Sequence, residues 1–236
     1  MKKHLISYGD SNYAMQKEFL KETALASGFF DEIKIFSAED IDPEFGQHIF
    51  RFVKGGRGGG YWVWKPYFIK RVIDEIAEGD LLFYVDAGCM INGKAKERFD
   101  QYVSMVTAAE TGTLDFELPF PEFQYTKQEV FEYFSSPDVI RRSSQLMATI
   151  IILRKCKHAL MLVNKWYDTL MDDFSLFTDE VILTQNDAFV DHRHDQSIFS
   201  IIRKTYGANI IPDETYFLDF LKDGQDSPIW ATRLRG

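Results

Sequence analysis

Leu81-Leu82-Phe83-Tyr84-Val85 is an unbroken apolar run that ends at Asp86 and turns through Ala87-Gly88-Cys89. A short run of this kind, entered through Gly79-Asp80, reads as a strand buried on both faces, as in a parallel sheet covered by helices. The rest of the chain must then supply helices for two faces, which points to the α/β class. Ligands of open α/β sheets bind just beyond the carboxyl ends of such strands, where Asp86 stands. A carboxylate there needs a positive partner. A divalent cation carrying a phosphate-bearing substrate is one reading. An Asp that hydrogen-bonds its own turn, with Gly88 for the bend, is the other.

The flanking sequence follows the same plan. Residues 4–8 read as a strand, 9–12 as a turn, 13–27 as a helix ended by Gly28, and 33–36 as a second strand. A glycine-rich loop spans 54–60. A helix is expected over 66–77, with Pro66 in its first turn, and another over 94–109. Residues 112–125 look irregular, with Pro119 and Pro121, and Thr126-Lys127-Gln128-Glu129 has the form of a capping box. A second buried strand is expected at 146–153, then helices over 155–171 and 195–204 and a last strand at 209–211. The tail from about residue 212 is expected to pack across the sheet. No repeat or linker interrupts the 236 residues, so one domain is the simplest reading.

The net charge of −9 argues against general nucleic-acid binding, which needs a basic face. It does not oppose a small anionic ligand, because local charge can run against the net sign. Cys89 and Cys156 give neither a disulfide framework nor a Cys-x-x-Cys pair, so a reducing, cytoplasmic setting is expected. No leader is visible, and the longest uncharged stretch, 143–153, is too short to span a bilayer. A peripheral membrane contact stays open.

Three segments can carry chemistry. The glycine loop lacks the Lys-Ser/Thr ending of a P-loop and does not give G-x-G-x-x-G, which weakens NTPase and dehydrogenase readings; it reads as a cover over a site or as plain surface loop. Lys65, at a helix entrance, brings a full charge where a helix already favours anions. Asp191-His192-Arg193-His194-Asp195-Gln196 precedes an apolar helix. His192 and His194 have a His-x-His metal spacing, Asp195-Gln196 could face a reacting sugar, and an Asp N-cap with exposed histidines is the plainer account.

In order and spacing, four landmarks resemble nucleotide-sugar glycosyltransferases of the GT-A fold, such as small bacterial capsular and surface-glycan enzymes and those of large DNA viruses. They are Tyr8-Gly9-Asp10-Ser11-Asn12-Tyr13, Gly60-Tyr61-Trp62-Val63-Trp64-Lys65-Pro66-Tyr67, Tyr84-Val85-Asp86-Ala87-Gly88-Cys89 and His194-Asp195-Gln196-Ser197-Ile198-Phe199. The resemblance implies a single GT-A-like domain over 1–236 with a mostly parallel, twisted, Rossmann-like sheet. Residues from about 1 to 110 would hold the nucleotide sugar, and those from about 111 to 236 the acceptor and the catalytic groups. It implies transfer of a sugar, hexosyl in type, from a nucleoside-diphosphate sugar, UDP favoured, to a glycan or other hydroxyl acceptor. Tyr8, Asp10, Asn12 and Tyr13 would read the nucleoside, Lys65 the diphosphate or sugar, and Gln145 the sugar. Asp195, Gln196 and Asp191 would be catalytic. Mn2+ or Mg2+ would sit on Asp86, with His192 or His194 as further ligands. Gly88 stands where the family has the second Asp of Asp-x-Asp, and no late His follows His194; Arg233 and Arg235 could hold the diphosphate instead. Two other readings stand beside this one: a metal-dependent hydrolase using Asp86, His192 and His194, and a non-catalytic nucleotide-sugar binder.

Overall fold

The computed structural model describes residues 1–53 and 57–234. Among them, seven strands form a mixed sheet. β1 (Lys3–Tyr8), β2 (Glu32–Phe36) and β3 (Leu81–Val85) are mutually parallel, in the order β2-β1-β3. β3 then pairs antiparallel with β7 (Ile150–Arg154), and β7 with β5 (Thr113–Pro121). β5 carries β6 (Ser144–Leu146) antiparallel and β8 (Ile210–Pro212) parallel. A separate two-stranded ribbon joins β4 (Met90–Ile91) to β9 (Ile229–Trp230).

The period of two along a strand divides the core. Leu82 and Tyr84 of β3 face one layer, with the helices Trp64–Glu75, Lys157–Asp172 and His194–Tyr206. Leu81, Phe83 and Val85 face the other, with the helices Ala14–Ser27 and Lys96–Ala108. The apolar run is buried along its whole length because both sides are roofed, as its composition requires.

Four details differ from the sequence expectations. Residues 113–121 form a nine-residue strand rather than an irregular stretch. Leu114, Phe116 and Leu118 alternate into the core, and the two prolines fall where the register with β6 shifts between Glu117 and Pro121, a place where a missing N–H costs little. Thr126 does not cap a helix: its hydroxyl donates to the buried Glu122 carboxylate at 2.6 Å, and the helix Gln128–Tyr133 starts after Lys127. The strand expected over 146–153 is broken, with Leu146 ending β6 and Ile150 opening β7. The helix Pro43–Val53 was not anticipated.

Pairing of Val85 with Ile150 places Asp86, just past β3, beside Ala148 and Thr149, just before β7; Asp86 N–H donates to the Thr149 carbonyl at 2.9 Å. The carboxyl end of β3 therefore opens on the break between β6 and β7.

Candidate active site

Lys65 enters this opening from the first turn of its helix. It is 3 % exposed, and its Nζ stands 3.0 Å from Asp86 Oδ1, 3.1 Å from Asp195 Oδ2 and 3.1 Å from the Ala148 carbonyl. Burial alone would pull this ammonium down; the charges of Asp195 and Asp86 more than reverse that and raise it. Asp195 is also buried, and its Oδ2 has an ion-pair distance to Lys65 without an aligned hydrogen bond. Burial first, then the Asp86 charge, pushes the Asp195 carboxyl up to about 6 against the pull of Lys65. Asp86 is the more open of the two, at 26 % side-chain exposure, and accepts a 2.6 Å hydrogen bond from Tyr84 Oη.

Gln196 is held on both ends of its amide. Its oxygen accepts from Ala148 N–H at 3.2 Å, and its nitrogen donates to Gln145 Oε1 at 2.8 Å. Gln145 is wholly buried and donates in turn to Glu122 at 3.1 Å. The structure thus brings Lys65, Asp86, Asp195 and Gln196 together at one strand end, with Gln145 behind them.

A cleft of about 210 Å³ opens above Asp86. Tyr8, Asp10, Tyr13, Trp62, Gly88 and Arg233 are among its lining residues. Tyr8 is packed on Trp64 and Phe68, with ring centroids 4.4 and 5.3 Å away, so it forms the floor. Burial, with the nearby Asp10 charge, pushes its phenol up to about 12. Tyr13 is more open. Asn12 is exposed and its backbone N–H donates to Asp10 Oδ1 at 2.9 Å. Another cleft lies between Glu39, Asp40, Asp42, Glu44, Phe45 and Tyr67, away from this chemistry. Its four carboxylates oppose an anionic ligand.

The end of the glycine loop shapes one wall. Residues 58–62 all have positive φ, and a Cβ on Gly58 would lie 2.3 Å from the Trp62 ring, so the glycine there is required by the left-handed turn and by contact. Residues 54–56 of the loop lie outside the described residues. Arg57 pairs with both oxygens of Asp191 at 3.1 Å and with Asp179 at 3.3 Å. Burial raises the Asp191 carboxyl, and Arg57 more than reverses that, so its pKa is lowered. Asp191 is thereby engaged in a wall contact instead of joining Lys65 and Asp86.

His192 and His194 do not join Asp86 either. His192 is buried; its Nδ1 accepts from Lys127 N–H at 3.4 Å, leaving Nε2–H to donate to the Leu176 carbonyl at 2.8 Å. Burial holds its pKa well below the ordinary value, so it stays neutral. His194 Nε2 meets Asp179 at 2.8 Å, and its ring lies against Tyr61 and Trp62. Burial lowers it too, although Asp179 opposes the shift. Among the described residues, no group of three or more His, Cys, Asp and Glu could hold a metal ion. The carboxylates here, Asp86 and Asp195, both already face the Lys65 ammonium, a set that does not fit a divalent ion held by the protein. The same geometry removes the ligand cluster on which a metal-dependent hydrolase would depend.

Two groups were not anticipated. Tyr84 lies two residues before Asp86, on the same side of the strand, so the alternation could have revealed it. Arg193 had no sequence signal: its guanidinium lies 4.2 Å from the Phe120 ring centroid and 4.1 Å from that of Tyr125. Arg233 lines the cleft, whereas Arg235 lies outside the described residues.

No protein-family model matches the chain, and no curated protein matches it in sequence. Solved structures do. The galactosyltransferase LgtC, in complex with donor and acceptor sugar analogs, matches with a TM-score of 0.51 at 12% identity, over 98% of this chain and 88% of that one. The chain has the GT-A fold of glycosyltransferases. A glycosyltransferase involved in glycosylation of the major capsid of PBCV-1 matches with a TM-score of 0.49 at 11% identity, over 98% and 92% of the two chains. The glycosyltransferase GlyE of Streptococcus pneumoniae TIGR4 matches with a TM-score of 0.44 at 17% identity; it covers 92% of this chain, which spans only 46% of GlyE. Among the described residues, no helix is long and apolar enough to cross a membrane.

Proposed function

We propose that the chain is a glycosyltransferase that moves a sugar, hexosyl in type, from a nucleoside-diphosphate sugar to a hydroxyl of a glycan or glycoconjugate. The single observation that carries this reading is the buried Lys65 ammonium held between Asp86 and Asp195 at the carboxyl end of β3, under a cleft with aromatic walls. That end is where a doubly wound sheet presents its ligand. The GT-A fold supports the same reading.

In this reading Tyr13 and Trp62 offer faces to the base, and Asp10 accepts from its polar edge. UDP is favoured because a uracil edge carries one N–H suited to a single carboxylate. Asp195, fixed by Lys65 and next to Gln196, faces the transferred sugar. With its carboxyl near 6 it is ionised at neutral pH and within range to take a proton from an acceptor hydroxyl. Gln145 and Glu122 set the direction of the Gln196 amide.

The test is a melting-temperature screen with UDP, GDP and CDP, followed by release of the nucleoside diphosphate from the matching sugar donor. A ligand that binds the native state raises the melting temperature. Asp195→Asn is expected to keep the nucleotide shift and lose turnover. Absence of any shift at millimolar nucleotide would sink the donor reading; retained turnover in Asp195→Asn would remove its catalytic role, and a shift without turnover in the parent would favour a binder.

A further inference from the structure

Gly88 stands where a second carboxylate would complete an Asp-x-Asp pair, and the fold gives a physical reason for the glycine. Residues 231–234 run back over the turn after β3. Ala231 N–H donates to the Thr215 carbonyl at 2.8 Å. The Gly88 carbonyl accepts from Thr232 Oγ1 at 2.7 Å and from Leu234 N–H at 3.0 Å. A Cβ on residue 88 would lie 2.7 Å from the Leu234 carbonyl oxygen and 3.3 Å from its nitrogen. Those are backbone atoms of a bonded segment, so any side chain at 88, a carboxylate included, conflicts with the tail.

The same segment delivers a cation. Arg233 sits between the two bonded residues, has a φ of 52°, lines the cleft with Asp86 and Gly88, and lies 5.1 Å from the Tyr216 ring centroid. A non-glycine residue in the left-handed region costs backbone energy and persists only where its surroundings hold it. No carboxylate pairs with Arg233 among the described residues; it rests on the Tyr216 ring. A guanidinium held in a cleft with no carboxylate paired to it is placed to take an anion. The floor cannot play that part, since Asp86 and Asp195 outnumber the one ammonium of Lys65.

We infer that the segment Ala231–Leu234 is a built-in part of the donor site, and that Arg233 neutralises the diphosphate in place of a protein-held divalent cation. The inference rests on the nucleotide-sugar reading above. The Arg233 guanidinium can bind phosphate oxygens through paired N–H groups.

The experiment is calorimetric titration of the full chain with whichever of UDP, GDP and CDP binds, in chelator and in manganese. The variants are Arg233→Gln and Gly88→Ala. The parent is expected to bind with nearly the same affinity in both buffers. Arg233→Gln is expected to weaken binding about ten- to a hundredfold, the loss of one charge-assisted contact. Gly88→Ala, which displaces the tail without touching a charge, is expected to weaken it as well. Parent-like affinity in Arg233→Gln overturns the role of Arg233. Binding by the parent only in manganese overturns the replacement of the ion while leaving the donor reading intact. No nucleotide binding by the parent in either buffer overturns the donor reading, and the role of Arg233 with it.

Discussion

Replacing Lys65 by Met keeps the length and most of the packing of the side chain and removes only its charge. At an effective dielectric constant of about 20, two pairs at 3.0 and 3.1 Å are each worth roughly 5 kcal/mol, and taking the ammonium out of water offsets several kcal/mol of that. The larger effect lies in what remains: Asp195, almost fully buried, would face Asp86 with no cation between them, and the Ala148 carbonyl would lose its donor. Breaking a buried pair in this way costs about 3–5 kcal/mol. The measurement is urea unfolding of parent and Lys65→Met, followed by tryptophan fluorescence, between pH 5 and 8. The sign follows from linkage. The Asp195 carboxyl is raised to about 6 in the folded state from its ordinary value of 3.8, so the folded state binds its proton more tightly than the unfolded chain. Stability from this group is present below the unfolded value and is lost as pH rises through the folded one. Without Lys65 the folded value climbs further, so the deficit of the variant is expected to grow from pH 5 to pH 8. Adding Asp195→Asn should recover more than half of it. A deficit below about 1 kcal/mol at pH 7.5, or one that neither pH nor Asp195→Asn relieves, would refute the account, since a paired buried ammonium cannot be removed so cheaply.

Two further outcomes are expected. Turnover on the matching sugar donor should fall below about pH 6 as Asp195 takes up its proton, and initial rates that stay level down to pH 5 would show that its carboxylate is not required. Arg203→Met should lower stability by about 3–5 kcal/mol in thermal or urea unfolding, because Arg203 is fully buried, pairs with Asp115 and donates to the Leu146 and Met147 carbonyls; a loss under about 1 kcal/mol would mean that Asp115 finds another partner.

The residues that come together at Lys65 were legible one by one, for different reasons. Asp86 announces itself because five apolar residues in a row leave a strand no open face, and the first polar residue after them must be at its end. Lys65 was marked by its place at a helix entrance, and Asp195 by standing where a polar run gives way to an apolar helix. The two histidines do not meet Asp86. A His-x-His spacing says only that two rings are near each other, and both rings here are consumed by local bonds to Lys127, Leu176 and Asp179. Asp191 is likewise held apart from Lys65, its partner Arg57 lying 134 residues away in sequence. β5 was missed because two prolines outweighed the alternation of Leu114, Phe116 and Leu118, and only the register shift with β6 explains how they are accommodated.

Local pattern determined the α/β class, the buried central strand and the carboxylate at its end, because periodicity and unbroken burial are properties of consecutive residues. Tertiary structure alone decided which charges meet. The ammonium at 65 sits between acids from β3 and from the helix His194–Tyr206, and the tail at 231–234 lies on Gly88, since chain folding sets distances that sequence separation does not. A charge distribution depends on those distances, so the residue types of the candidate site were written in the sequence and its electrostatics were not.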